Sequence, residues 1–440
     1  MFYIIETKDQ LRRLLSLRKE KTYLEVVSGN DNFHPSLTNT LAVYLRPEST
    51  NHGFIIPIEH SDGLNTEKYI VEKVLSKFND LYVWDKKELL YHFILKSAND
   101  LQLLYLLNKN KRFDSRHDTS THSYYYNKFG SKNYVNNIVP LSIHYERAEK
   151  RYEEIKKIMY LPKDESFDFY NRVALTVFFM FEQNGIGVHE ENFINLFKPK
   201  DPEYNIQDRT VYTYFNPYNI TSRPTNSFNS VNFSAIPHKK EYRDCFIPKN
   251  DRFVEFDFDG YHIRILADQL GYELTNESAH KQLAKMYTDK EVISEEEYKQ
   301  IKQTNFHALY GQIPEKYKDV EFFRLIQQYV DKLWEEFTGS GKVVCPISNR
   351  VFKIDMDTPQ KLMNYVIQNL ETSYNILIFK NLLQYLRNKV SKVVLYTYDS
   401  VVIDFSEKDG NDTINEIKEI LQYNNTFPVN IKQSNNLNFN

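Results

Sequence analysis

The chain has 440 residues, of which 41% are hydrophobic and 26% are charged, and its formal net charge is -3. This is ordinary globular composition, and the length predicts about two to four domains rather than one. The near-neutral charge excludes any argument for nucleic-acid binding from bulk electrostatics, so such an argument must come from local motifs.

Two cysteines, Cys245 and Cys345, lie in unrelated contexts. Their spacing predicts neither a disulfide framework nor a cysteine-rich zinc site. The stretch MFYIIETKDQLRR does not resemble a signal peptide, and the longest strongly apolar run, Val173 to Phe181, is too short to span a bilayer. We therefore expect a soluble, cytoplasmic protein of a reducing compartment, without a membrane partner.

The first predicted module combines strands and helices. Residues 20–60 alternate as strands do in TYLEVV, NTLAVYLRP and HGFIIPIEH, and EKYIVEKVLSKF and KELLYHFIL follow with helical periodicity. From about 141 to 195 the pattern is helical, and Gly185 is predicted to be a helix C-cap. Residues 196–235 are rich in Asn, Pro, Ser and Thr and predict an irregular connection.

The next segment, RFVEFDFDGYHIRILADQLG, predicts a strand that turns into a helix. VEFDF alternates, whereas Ile263, Leu266, Ala267 and Leu270 share one helical face. An acid, Asp257, lies at the changeover.

The last part of the chain is predicted to be mainly helical over 277–337 and 359–388, with strands near KVVCPISNRVFKI and in VLYTYDSVVIDF. Asp399 and Ser400 interrupt that final strand pattern. Taken alone, the pair predicts an ordinary hairpin turn. Asp257 and Asp399 together allow a second interpretation, because two carboxylates on adjacent strand edges can bind two divalent ions about 3.5–4 Å apart, as in-line displacement at phosphorus requires.

Between the two acids lies YKQIKQTNFHALYG. On a helix, Lys302, Phe306 and Leu309 with Tyr310 recur at spacings of three and four, so a cation and two aromatic rings share one side. Lys302 could contact a phosphate while the rings face a base or sugar. An amphipathic helix with an exposed lysine and core aromatics would show the same pattern.

In order and spacing, these segments resemble the DNA polymerase I family (family A). DFDGYHIRILADQLG resembles its motif A, YKQIKQTNFHALYG its motif B and YTYDSVVIDF its motif C. Weaker signatures follow the same order: FEQNGIGV, TSRPTN, VNFSAIP, YRDCF, AHKQLA and NYVIQ. The resemblance covers residues 170–440.

The resemblance implies a template-directed DNA polymerase that adds deoxynucleotides to a primer 3′-hydroxyl with two Mg²⁺ ions, for which Mn²⁺ can substitute. Asp257, Asp399 and the carbonyl of Phe258 would bind metal, and Lys302 would contact the triphosphate, assisted by His280. Phe306 would stack near sugar and base. The other implied roles are closure of the nascent-pair pocket for Tyr310 and support of the primer-template for Arg223, Arg264, Asn364, Gln368 and Ser400.

The chain departs from the family pattern at three places. His262 stands where the family usually has a glutamate that acts as the sugar gate, so exclusion of ribonucleotides depends on whether this histidine can replace it. Ser400 follows Asp399 where a second acid is usual, with Tyr398 in place of a histidine. The first basic position of motif B is Tyr298, so the neighbouring Lys299 would have to supply the nucleotide contact.

The resemblance also implies a domain order of mixed α/β and α+β type. An RNase H-like, exonuclease-type domain (1–140) would precede a helical connection and reduced thumb (141–215). A right-hand polymerase would follow, with an antiparallel palm (216–270 and 338–440) and helical fingers (271–337). Glu25, Asp85 and Asp100 are scattered replacements for the paired nuclease acids, so we expect an inactive exonuclease.

Two alternatives stay open. His262 and Ser400 would also suit a sugar-tolerant or RNA-synthesising polymerase, and the lost acids would suit an inactive nucleic-acid-binding relative. The predicted partners are primer-template DNA, dNTPs and a processivity or replisome partner, since a short thumb implies low processivity. The compact chain leads us to expect replication of a phage or other mobile element.

Overall fold

A computed structural model describes residues 3–114, 121–130, 136–287, 294–310, 313–353 and 356–439. The chain forms two compact units. The first comprises Met1–Gln183, Pro199–Tyr218 and Phe228–Val231, and the second comprises Asn184–Lys198, Asn219–Ser227 and Asn232–Asn440.

The first 183 residues contain a sheet and its covering helices. The strands are β1 (Lys21–Ser28), β2 (Thr40–Pro47), β3 (Phe54–Pro57), β4 (Asp80–Val83) and β5 (Asn99–Asp100). The helices are α1 (Lys8–Arg13), α2 (Lys68–Leu75), α3 (Lys86–His92), α4 (Leu101–Lys109), α5 (Thr121–Phe129), α6 (Leu141–Ile155), α7 (Glu165–Asp168) and α8 (Leu175–Glu182). A π-helical stretch, Phe169–Ala174, joins α7 to α8.

This sheet has the order β3-β2-β1-β4-β5. β1, β2 and β3 pair antiparallel, whereas β4 and β5 add in parallel on the other side of β1. Every residue of β2 is buried, which explains why its sequence is almost continuously apolar. The strands and helices predicted for residues 20–95 are confirmed.

Short elements fill the middle of the chain, which includes residues 196–235, where we expected an irregular connection. They are β6 (Ile186–Val188), α9 (Glu190–Phe197), β7 (Ile206–Gln207), β8 (Thr210–Val211), β9 (Phe215–Asn216), β10 (Thr225–Phe228), β11 (Val231–Asn232), α10 (Lys240–Asp244) and β12 (Phe246–Ile247). The prediction for Gly185 was wrong: α8 ends at Glu182 with Gln183 as its C-cap, and Gly185 follows with a φ of 58°.

The rest of the second unit alternates between one sheet and long helices. Its strands are β13 (Arg252–Phe258), β14 (Val343–Val344), β15 (Val351–Phe352), β16 (Lys392–Tyr396), β17 (Ser400–Phe405) and β18 (Val429–Ser434). Its helices are α11 (Tyr261–Leu270), α12 (Ala279–Tyr287), α13 (Glu295–Leu309), α14 (Glu321–Ser340), α15 (Pro359–Tyr385) and α16 (Asp412–Gln422). These elements match the predicted order.

The main sheet of this unit has the order β16-β17-β13-β18 and is antiparallel throughout. Val254, Phe256 and Phe258 of β13 are buried and share one face of the sheet. Glu255 and Asp257 share the opposite face because side chains alternate along a strand. β17 is buried along its whole length, as a central strand should be.

The change from strand to helix after β13 depends on Gly260. This residue has a φ of 57°, which side chains with a Cβ rarely adopt, and it immediately precedes α11. A Cβ at this position would lie 2.8 Å from the Cβ of Ala279. Glycine therefore permits both the turn and the close approach of α12.

Of the helices that the structure describes, none combines the length and the apolar character needed to cross a bilayer.

Candidate active site

The two acids predicted to act together lie at one edge of the main sheet. Asp257 is opposite Ser400 in the pairing of β13 with β17, and the backbone N–H of Phe258 donates to the carbonyl of Asp399 at 2.8 Å. Asp399 thus occupies the turn between β16 and β17. The hairpin-turn interpretation is confirmed for this residue, and the two-metal interpretation stays a prediction.

Burial and mutual repulsion make these carboxylates hard to ionise. Burial raises the pKa of Asp257 to about 7, and the charges of Asp399 and Glu255 add to the effect. Burial also raises the pKa of Asp399, with a further contribution from Glu371. A cation between the two acids would relieve this repulsion.

The turn that carries Asp399 is held in an unusual backbone conformation. Tyr398 has a φ of 65°, and its carbonyl accepts a hydrogen bond of 2.8 Å from the side-chain amide of Asn375. The guanidinium of Arg223 lies 3.7 Å from the centre of the Tyr398 ring. Backbone strain of this kind persists only where neighbouring contacts fix it, and it is concentrated at functional sites.

A cavity of about 340 Å³ connects the acids to α13. Its walls include Asp257, Asp399, Lys302 and Phe306. α13 begins with a capping box in which Ser294 and Glu297 bind each other's backbone N–H groups, which fixes the start of the helix. The four-residue spacing then brings Lys302 and Phe306 to the cavity, as the sequence predicted.

The cavity side of α13 carries one exposed aromatic ring, that of Phe306, which is not packed into the core. Phe306 is 51% exposed, and its ring contacts that of Tyr310 at a centroid distance of 5.0 Å. Lys302 is exposed, with its ammonium 5.0 Å from the ring centre of Tyr298. An exposed phenylalanine beside a lysine in a concave site favours ligand contact over the amphipathic-helix interpretation.

His280 of α12 also faces this cavity. Its Nδ1 lies 3.2 Å from the side-chain nitrogen of Asn305. Burial, with the nearby charge of Lys302, lowers the pKa of His280 to about 4. At neutral pH it is therefore an uncharged hydrogen-bonding group rather than a second cation.

His262 completes the wall beside Tyr310. Its Nδ1 lies 3.2 Å from the Tyr310 hydroxyl, and its Nε2 lies 3.2 Å from Oε1 of Glu371. Sequence reasoning did not include Glu371. Its position three residues after Gln368, and its being the one charged residue between Lys361 and Lys380, were the available signals.

Two other predicted site residues, Arg264 and Lys299, do not line this cavity. Arg264 is 4% exposed, and its guanidinium donates to Asp259, Thr275 and Glu277. Lys299 is exposed and is not among the residues that line the cavity.

Two predicted primer-template residues lie on α15. Gln368 donates to Asn364 at 2.8 Å, and both side chains are partly buried. Ser400 is buried, with its hydroxyl 2.7 Å from that of Thr397. Gly311, at the end of the motif B-like stretch, lies outside the described residues.

The donor set suits a hard divalent cation. Among the described residues, no group of three or more His, Cys, Asp or Glu side chains could hold a metal ion. Mg²⁺ does not need one, because it commonly binds one or two carboxylates together with substrate phosphates and water. Asp257 and Asp399 fit that requirement.

The three acids of the first unit that the sequence suggested as replacements for nuclease ligands have structural partners. Asp85 and Asp100 are the N-caps of α3 and α4, and each also accepts a tyrosine hydroxyl. Glu25 is ion-paired with Arg147, whose side chain is 3% exposed. A cavity of only about 70 Å³ adjoins Glu25, Asp85 and Arg147.

Comparison with known proteins gives a likeness of fold. No protein-family model matches the sequence, and no curated protein sequence matches it either. The chain is similar to a solved structure of the POL domain of Pol1 from M. smegmatis in complex with a DNA primer-template and dNTP. The TM-score is 0.67 with 13% sequence identity, and the similarity covers 99% of each chain. The protein therefore has a DNA polymerase fold.

Proposed function

We propose that the protein is a template-directed DNA polymerase that extends a primer with deoxynucleotides. The observation that carries the proposal is the cavity in which Asp257 and Asp399 face Lys302 and Phe306. Two acids, one cation and an exposed ring are what a metal-bound nucleoside triphosphate requires. The likeness of fold and the ordered motifs support the same function.

The proposed reaction joins the primer 3′-oxygen to the α-phosphorus of the nucleotide, and the proton of the 3′-hydroxyl is released to water. The bond between the α-phosphorus and its bridging oxygen breaks, and pyrophosphate leaves with that electron pair. Lys302 would bind the triphosphate and offset its charge, and Phe306 would contact the sugar and base. Bound at Asp257, Asp399 and the Phe258 carbonyl, Mg²⁺ would stabilise the charge that develops on the phosphoryl group. Mn²⁺ would substitute.

Primer extension tests the proposal directly. The wild-type protein is incubated with a DNA primer-template, Mg²⁺ and dNTPs, and D399A and D412N are run in parallel. Asp412 is an exposed acid at the start of α16, away from the cavity. We expect extension by wild type and D412N and none by D399A. Template-independent addition, or equal activity of D399A, would contradict the proposal.

We further propose that the first unit has no proofreading activity. Arg147 places a permanent positive charge against Glu25, where a nuclease would need a metal ion, and Asp85 and Asp100 are occupied as helix caps. The test is release of nucleotides from a 3′-labelled primer with Mg²⁺ or Mn²⁺. We expect none, and 3′-end degradation that persists in D399A would overturn the proposal.

The reduced thumb, the processivity partner and the phage or mobile-element role stay predictions. Extension in the presence of a DNA trap limits each enzyme to one binding event. It therefore measures the low processivity that a reduced thumb implies. We expect short products from the protein alone. Long products would show that the chain does not need a partner.

A further inference from the structure

Glu371 is a buried acid, and packing of the core does not explain why this position holds a charged residue. It lies in the middle of α15 and is 1% exposed. A carboxylate is almost never buried without partners, because the loss of hydration must be offset by charges and hydrogen bonds. Its surroundings therefore indicate what it does.

The carboxylate of Glu371 has two cationic or ionisable partners. Nε of Arg223 lies 2.8 Å from its Oε2, and Nη2 of Arg223 donates to its Oε1 at 3.3 Å. Nε2 of His262 lies 3.2 Å from the same Oε1. Burial alone would raise the pKa of Glu371, but His262 and Arg223 more than offset it, so the pKa is lowered. Glu371 is thus ionised at neutral pH.

An ionised carboxylate at Nε2 determines how His262 meets Tyr310. Its negative charge favours a proton on Nε2, the nitrogen that faces it, and the other nitrogen, Nδ1, is an acceptor when it carries no proton. The Tyr310 hydroxyl, 3.2 Å from Nδ1, can then donate to it. Burial raises the pKa of Tyr310 to about 12, so this hydroxyl keeps its proton. A chain of contacts runs from Glu371 through His262 to Tyr310.

We propose that Glu371 positions the sugar gate of the polymerase. By holding His262 against Tyr310, its carboxylate closes the wall of the cavity that a 2′-hydroxyl of the incoming nucleotide would meet. Because Glu371 is only 1% exposed, it would act through His262 rather than by direct contact with the substrate. This inference rests on the proposed function, and it assigns to α15 the acid that motif A lacks at position 262.

Arg223 makes the arrangement possible in a buried site. Without its charge, Glu371 would be an uncompensated buried anion beside Asp399, whose pKa it already raises. The same guanidinium covers the Tyr398 ring in the turn that carries Asp399. Arg223 therefore contacts both Glu371 and the turn that carries Asp399. For this reason Glu371 is better replaced by glutamine, which is neutral and of the same shape, than by a smaller side chain.

The test compares single-nucleotide incorporation of a dNTP and the matching rNTP by wild type, E371Q, H262A and the double variant E371Q/H262A. We expect the ratio of kcat/KM for dNTP over rNTP to fall by about 10- to 100-fold in E371Q, the value of a hydrogen bond to a charged group. The double variant should lose no more than H262A does. A merely structural role would lower both substrates alike and leave the ratio unchanged, which would overturn the proposal.

A charge-relocation variant gives a second arm. H262E/E371Q moves the carboxylate to the motif A position, from which it could accept the Tyr310 hydroxyl directly. We expect it to recover discrimination lost in E371Q, and failure to do so would count against the role of the acid. Y374F is the control, because Tyr374 lies on the same helix but bonds to Asp268 and Gln269 instead. Its ratio should equal that of wild type.

Two further outcomes are distinguishable. If wild type extends no primer with either substrate, the proposed function fails and this inference fails with it. If E371Q does not fold, as judged by thermal unfolding, the wild-type protein still tests the proposal.

The test is an NMR spectrum of wild-type protein labelled with ¹⁵N-histidine, in which the signal that is absent from H262A reports the His262 ring. We expect a proton on Nε2, and a neutral ring protonated only on Nδ1 would overturn the proposal.

Discussion

Replacing Asp257 by asparagine should change how the stability of the second unit depends on pH. In the native protein the pKa of Asp257 is raised to about 7 from 3.8, first by burial and then by Asp399 and Glu255. Between these two pH values the native state binds the proton more readily than the unfolded chain does. The contribution of Asp257 to the free energy of unfolding therefore falls as pH rises through this window, and this contribution is constant above about pH 7.

The magnitude follows from the shift. Each pH unit inside the window costs about 1.4 kcal/mol, so the wild type should lose up to about 3 kcal/mol between pH 5 and pH 8 through this group. The asparagine side chain cannot ionise, and D257N should escape that loss. Adding Mg²⁺ at pH 8 should stabilise the wild type by about 2.7 kcal/mol at 100 times the dissociation constant, and should do little for D257N.

The assay uses the two tryptophans, which lie in different units. In a W84F background, the fluorescence of Trp334 reports urea unfolding of the second unit alone. Unfolding free energies are measured with EDTA at pH 5 to 8 and then with Mg²⁺, with D412N as the control. Parallel pH profiles for D257N and wild type, or equal stabilisation of both by Mg²⁺, would refute the assignment of Asp257 as a repelled, metal-binding acid.

Two other predictions concern single charges. K302M should lower kcat/KM for dNTP by about 10- to 100-fold in steady-state kinetics, because the phosphate contact is lost. K299M, one turn earlier and outside the cavity, should change kcat/KM less than about threefold. Equal effects of the two variants would contradict the assignment of the cavity as the nucleotide site. K87M should destabilise the first unit by about 3–5 kcal/mol in urea unfolding followed by Trp84 in a W334F background, because it strands Glu182, which is fully buried and 2.7 Å from the Lys87 ammonium; wild-type stability would contradict this.

The strand-to-helix segment around Asp257 was predictable because its period changes from two to about 3.6 at a glycine. The alternation of β13 is also enough to place Glu255 and Asp257 on one face of the strand. That Asp399 joins them follows only from strand register. The sequence allowed the pairing of β13 with β17 but could not show that Asp257 lies opposite Ser400.

Side-chain partners were harder to predict than elements. Asp85 fits an N-cap pattern with Glu88 three residues later as well as it fits a nuclease acid, and only the accepted bond from the Glu88 backbone N–H distinguishes the two. Arg264 has the charge of a DNA contact, yet its donors are used within the protein. In both cases the deciding contacts come from the folded geometry, which residue type alone does not specify.

At two positions, 262 and 400, the chain lacks an acid that the family pattern predicts, and at both another acid lies nearby. At position 262, in the segment that resembles motif A, a histidine stands in place of the carboxylate, but Oε1 of Glu371 from α15 lies 3.2 Å from its Nε2. At position 400 the second acid is a serine, but Glu255 shares the face of Asp257 and lines a cavity of about 350 Å³ with Asp399. Burial raises the pKa of Glu255, and Asp399 adds to it. A comparison position by position would count two lost acids. Two other carboxyl groups, those of Glu371 and Glu255, lie near Asp399 instead. The altered motifs are therefore a poor argument for an inactive protein.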